Sequence, residues 1–249
     1  MRVRLSIFFG LLSMLIGSGV SRASDIAQDI ARIHLEAMGG EERLARLESF
    51  RTAGVSRVGD FEMSFQMWAA RPNLLRIEMT TGPQTLIQGW DGEGEPWVQT
   101  GLSQPPQRMA PELKERFTSE ADFDDPLFRP AERGYVLEYA GEGEVDGRPA
   151  VKLLATRDLT DQSTLYLAAD TYFIVRQDRR RPALDGTMIE TQTFYGDFRP
   201  VMGVILPHGI VVKEGERIMS EVALTWMEPN PPIDEGWFSP PTQAAPHKE

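Results

Sequence analysis

The run FEMSFQMWAARPNLLRIEM at positions 61–79 decides the fold class. Phe61, Met63, Phe65 and Met67 fall on one side of an extended chain, and Glu62, Ser64, Gln66 and Trp68 on the other. That is the period-two pattern of a strand with one face in an apolar interior. Arg71-Pro72-Asn73 is a turn signal, and beyond it Leu75, Ile77 and Met79 alternate with Leu74, Arg76 and Glu78. The two runs predict an antiparallel hairpin with an apolar, methionine-rich inner wall. Such a wall admits two readings. It is the ordinary interior of a sheet, or it lines a cavity, because methionine is flexible and polarisable and suits surfaces that accept varied apolar partners. Trp68 points away from the wall and is a candidate for an exposed contact.

Upstream, Ser49–Val58 reads as a strand placing Phe50, Thr52 and Gly54 opposite Arg51, Ala53 and Val55, and Gly59-Asp60 turns it into the hairpin. Downstream, Gln84–Trp90 and 96–100 flank a glycine-rich turn, so the strands follow one another as an antiparallel meander. Pro105-Pro106 breaks the pattern, and Pro111 opens a helix with Leu113 and Phe117 four residues apart. This helix reads as a lid or as a crossover covering one end of the sheet. Strands resume at 135–139, 150–156, 163–167, 172–178, 187–198, 204–212 and 218–227, the last alternating Ile218, Ser220, Val222, Leu224 and Trp226 against its other face. About ten or eleven strands without a long linker predict one strongly curved sheet or open barrel in a single domain.

Before the strands, Asp25 caps a helix carrying Ile26, Ile30, Ile33 and Ala37, which Gly39-Gly40 stops before a helical stub at 41–47. Further upstream, Arg2 and Arg4, an apolar run at 7–16 and Ser21-Arg22-Ala23 have the order of a cleaved export signal. The apolar run is shorter than the roughly 20 residues of a membrane anchor. Cleavage after Ala23 is expected, giving a periplasmic domain at 24–241 and a disordered tail at 242–249.

At 41% hydrophobic and 25% charged, the 249-residue chain has a globular composition. It has no cysteine, which excludes thiol catalysis, Cys-ligated metal and a lipidated N-terminal cysteine. Its net charge of −11, more negative still once the leader arginines are gone, disfavours nucleic acid and anionic lipid surfaces.

Chemistry is sparse. The three histidines, His34, His208 and His247, are not spaced to share a metal or build a triad. There is no G-x-S-x-G, P-loop or dinucleotide fingerprint. Glu120, Asp122, Asp124 and Asp125 lack the spacing of a calcium loop and read as a solvated acidic loop, and Arg179-Arg180-Arg181 reads as a solvated basic turn. No cofactor is expected.

Ala37-Met38-Gly39-Gly40 with the stub and strand after it, W-x-x-R-P-N-x-L-R-x-E from Trp68 to Glu78, and W-D-G from Trp90 to Gly92 together resemble bacterial periplasmic proteins of the LolA-like lipoprotein carrier superfamily. So do V-D-G-R-P-A-V-K-L from Val145, T-L-Y-L-A-A-D-T-Y-F-I-V-R from Thr164, and the closing segment 230–240. The resemblance implies a mainly β fold with helices: a half-open antiparallel sheet wrapped around helices, enclosing an apolar cavity that takes acyl chains.

The resulting expectation is a non-enzymatic, monomeric periplasmic carrier for an acyl chain, lipid or lipoprotein. Phe61, Met63, Phe65, Met67, Leu75, Ile77 and Met79 would line its cavity, with Leu113 and Phe117 on the covering helix. The alternative is an envelope interaction or sensing module with a filled core, which an exposed Trp68 patch or a long free strand edge would favour.

Overall fold

A computed structural model describes residues 17–158, 161–182 and 187–241. The n-region and the whole apolar run of the expected leader, and the expected tail, lie outside the described residues. Helix α1 (Gly17–Ala37) and the short α2 (Glu41–Ala45) lead into six strands: β1 (Ser49–Val58), β2 (Phe61–Ala70), β3 (Leu74–Thr81), β4 (Gln84–Trp90), β5 (Trp97–Thr100) and β6 (Gln107–Arg108). Helix α3 (Pro111–Glu120) and a loop cross to seven more: β7 (Val136–Val145), β8 (Arg148–Thr156), β9 (Gln162–Ala168), β10 (Ile174–Pro182), β11 (Met188–Val201), β12 (Val204–Glu214) and β13 (Arg217–Pro229).

All thirteen strands form one curved, unclosed antiparallel sheet in the order β6-β5-β4-β3-β2-β1-β13-β12-β11-β10-β9-β8-β7. Two meanders are thus fused where β1 pairs with β13. Short turns fix this order, because successive hairpins leave each strand beside its neighbour in sequence. The first and last strands of the two meanders meet, and β6 and β7 are left as the edges.

The inner face is the one the helices cover. Ala27, Ile30 and Ala31 of α1 pack with Leu127 on Leu137, Leu153, Ala155, Leu165 and Leu167 of β7, β8 and β9. Full burial of such leucines stabilises by about 1.5–3 kcal/mol each. The end of α1 is fixed by Gly39, whose φ of +117° suits glycine and where a Cβ would lie 2.4 Å from the Gly203 carbonyl oxygen. The next strand hydrogen bond there runs from Ile205 N to Met38 O at 2.8 Å. Asp25 is not a cap, because the helix already begins at Gly17 and places Asp25 in its exposed interior.

The outer face of the first meander is covered too. Segment 230–241 folds back over it: Trp97 Nε1 donates to Phe238 O at 2.8 Å and Arg76 Nη1 to Trp237 O at 3.0 Å. Trp237 packs edge-on against Trp68 at 5.2 Å. Trp68 is therefore 9% exposed, and the expected surface contact is a packed one. Bulges correct the reading of β13 as well. The register shifts between Ala53 and Gly54, so Thr52 faces Met227 and Gly54 faces Leu224. Trp226 consequently pairs with Ala53 on the outer face, away from Leu224. A second shift places Ile218 opposite Lys213, off the face that carries Val222.

Candidate functional site

The hairpin that opened the sequence reading forms β2 and β3 as expected. Phe65 faces Met79, Met67 faces Ile77 and Ala69 faces Leu75 across the ladder, so the alternating residues share the inner face. The row continues into β4, where Met79 faces Leu86, and back into β1, where Phe65 faces Gly54. A Cβ at Gly54 would lie 3.0 Å from the Phe65 ring and 2.4 Å from Ala223 O, so only glycine lets the ring lie against β1 here.

Burial grades along this wall. Leu75 and Phe117 are buried in one cluster with Met109 and Ala121, against which Met67, Ala69, Ile77 and Trp90 pack. Met63, Phe65 and Met79 lie outside that cluster and are half-buried. Phe61, at the start of β2, is 73% exposed. Leu113 is 49% exposed on α3, one turn before the Phe117 contact. The structure therefore brings Met67, Leu75, Ile77 and Phe117 together under α3, continues the wall through Met63, Phe65 and Met79, and leaves Phe61 and Leu113 outside the packed group.

Sequence reading missed the continuation of this face beyond β1. Ser56 faces both Met63 and Val222, Val222 faces Ile210, and Ile210 faces Tyr195. Val212 faces Thr193, which faces Gln177 of β10. All are half-buried. The period-two alternation of β12 was the available signal, but the bulges of β13 hide which face matches the hairpin.

Helix α3 bridges the two meanders. Phe117 packs on β3, and Arg179 Nη1 of β10 donates to Ser119 O in its last turn at 3.1 Å. The arginine favours the negative end of the helix dipole. The run 179–181 lies in β10 and is not a solvated turn.

The acidic loop is likewise engaged. Arg71 grips Asp124 through two bonds of 2.7 and 2.8 Å. Arg157 lies 3.4 Å from Asp122, and Arg157 also pairs with Asp161 at 2.6 Å. Tyr135 donates to Asp161 at 3.1 Å, and burial with the nearby Asp161 and Asp122 charges pushes its hydroxyl up to about 12. Among the described residues, no group of three or more His, Cys, Asp or Glu is placed to hold a metal ion.

Asp125 approaches His34 Nε2 at 3.4 Å, and the other ring nitrogen lies 2.8 Å from Tyr172 O. Burial alone would lower the histidine pKa, but the Asp125 charge and its hydrogen bond, with the Tyr172 carbonyl, outweigh it and raise the pKa above 6.5. Burial raises the Asp125 pKa, and the His34 charge and hydrogen bond, the Leu127 amide and Arg133 more than reverse this, lowering it below 3.8. A raised histidine contributes stability that is complete below its unfolded value and is lost as pH rises through its folded one. A lowered carboxylate contributes stability that is lost as pH falls through its folded value. Urea midpoints measured across pH are expected to decline on both sides of this window, and His34→Gln is expected to remove the alkaline decline.

Two depressions of about 300 and 350 Å³ lie elsewhere, one lined by Arg148, Pro149, Ala169 and Asp170, the other beside Asp91, Trp97 and Pro240. Neither touches the β2–β3 wall. Among the described residues, no helix is long and apolar enough to cross a membrane.

Solved structures share this architecture. A DUF1329 family protein from Desulfovibrio piger aligns with a TM-score of 0.58 at 12% identity, over 87% of this chain and 97% of its own. An outer-membrane lipoprotein-sorting protein domain from Vibrio parahaemolyticus aligns at 0.57 and 8% identity, over 87% and 97%. A LolA superfamily protein from Nitrosomonas europaea aligns at 0.55 and 15% identity, over 85% and 96%. No protein-family model and no curated protein sequence matches the chain. The fold is LolA-like: mainly β, with one curved, unclosed antiparallel sheet around helices.

Proposed function

We propose that this LolA-like fold works as a non-enzymatic periplasmic carrier that takes the alkyl part of a lipid or lipoprotein into the trough on the inner face of its sheet. The mature domain would be residues 24–241. The carrying observation is the graded wall: Met63, Phe65 and Met79, with Leu86, Ile210, Val212 and Val222, stay half-buried beside a packed cluster under α3. An apolar face left partly wet gains by covering an alkyl chain, at about 0.8 kcal/mol for each methylene removed from water. Met63 and Met79 adapt to different chains by changing rotamer. Release would follow movement of α3, whose tie to the far meander is the bond from Arg179 to Ser119 O.

The interaction-module reading loses the exposed Trp68 it called for, but keeps β7 as a ten-residue edge with no outer strand partner among the described residues. Exposed Glu138, Glu142 and Glu144 along that edge disfavour addition of an ordinary strand.

Native mass spectrometry of the protein purified from a bacterial envelope, followed by denaturing extraction, tests the carrier reading. A lipid or acylated peptide released in near-stoichiometric amount is expected. A clean apo mass, with no uptake of added palmitate or phospholipid, would sink it.

A further inference from the structure

On the far side of the trough, β10 presents Gln177 and Arg179 two residues apart on the inner face. Gln177 faces Leu165 and Thr193, and Arg179 faces Ser163 and Thr191. Both side chains hold a buried donor with no partner among the described residues, Gln177 Nε2 and Arg179 Nε. Unpaired buried donors are costly in a folded protein, and each one asks for an explanation.

Their neighbours show why they are unpaired. Tyr195 donates its hydroxyl to Gln177 Oε1 at 3.1 Å, which turns the amide nitrogen away from it. Burial holds that hydroxyl up to about 12, so it remains a donor. Arg179 is 23% exposed, spends Nη1 on Ser119 O and reaches Asp161 only at 3.9 Å. Asp161 itself is taken by Arg157 at 2.6 Å, and Glu120 by Arg116 at 3.0 Å. Among the described residues of this wall the guanidinium is thus a weakly paired cation, with an unpaired N–H two residues along the strand from an unpaired amide N–H.

Resting on the carrier reading, we infer that Gln177 and Arg179 form the head-group site of the trough and that its ligand is an amphiphile ending in an oxyanion, a carboxylate or a phosphate. Arginine and amide donors side by side suit the oxygens of such a group, and the bonds are strongest where water is excluded. The position suits the tail as well. From β10 to β13 is three strand steps, about 14 Å at about 4.8 Å each. This is the length of one acyl chain in half of a hydrocarbon core about 30 Å thick. A head at Arg179 therefore lays its tail over Val212 and Val222 and, across the curved inner face, toward Met63 and Phe65.

The test compares palmitate, hexadecyl phosphate and 1-hexadecanol as competitors for a bound neutral alkyl fluorophore. Both anions are expected to bind at least about tenfold more tightly than the alcohol, and the tighter anion identifies carboxylate or phosphate as the source. Arg179→Gln is expected to erase the preference, Gln177→Leu to reduce it, and Arg179→Lys to keep part of it, with urea midpoints confirming that each variant is folded. If the alcohol binds the wild-type protein as tightly as the anions, the head-group site is wrong while the trough stands. If neither the fluorophore nor any of the three binds, the carrier reading falls and the head-group site with it.

Discussion

Arg71→Met is expected to destabilise the protein by about 3 kcal/mol, the low end of the range for breaking a buried, hydrogen-bonded ion pair from one side, because this pair is half-buried. Arg71 and Asp124 are 22% and 14% exposed, and their fork is bidentate. The same guanidinium donates to Leu44 O at 2.9 Å, to Ala45 O at 3.0 Å and to Leu47 O, carbonyls at and just beyond the end of α2. It also lies 5.0 Å from the Phe123 ring and 4.8 Å from that of Phe128. One side chain therefore ties α2, the β2–β3 turn and the loop after α3. Methionine would leave Asp124 charged and buried without its partner. Arg71→Lys keeps the charge but not the fork, and is expected to recover only part of the loss. The exposed pair of Arg57 and Glu62 is the control, since removing it is expected to cost less than about 1 kcal/mol. Urea unfolding measures all three, and a loss for Arg71→Met no larger than the control's would refute the assignment.

Phe65→Asp is expected to weaken palmitate binding by more than about 30-fold, equivalent to about 2 kcal/mol. Contact with a Phe side chain contributes roughly this much, and a carboxylate in an apolar trough adds a desolvation cost. Phe65 is only half-buried without ligand, so the variant is expected to stay folded. Leu113→Asp, at the exposed start of α3, is expected to change binding by less than about threefold. A folded Phe65→Asp protein with wild-type affinity would move the ligand off this wall.

The hairpin and most strand limits were legible because alternation is a local signal. Gln84–Trp90 could be read from its own residues and the turns beside it. What lay on the second face was not legible. Trp68 reads as outward-facing and is so, but it is buried because residues 230–241, distant in sequence, cover that side. The displacement of Trp226 needs a bulge that alternation cannot show. Asp122, Asp124 and Asp125 read as solvated because their partners Arg157, Arg71 and His34 lie far away in the chain. In α3, spacing gave Leu113 and Phe117 one face, and only the docking of the helix shows that Phe117 alone reaches the sheet. The N–H groups of Gln177 and Arg179 become visible only once the neighbours that leave them unpaired are in place.

The most direct test of the trough is a methyl NMR spectrum of protein labelled at methionine Cε, recorded with and without palmitate. The trough predicts that Met63 and Met79 shift and show contacts to alkyl protons, while the exposed Met188 and Met202 do not move. Palmitate that binds while Met63 and Met79 stay unmoved would contradict it.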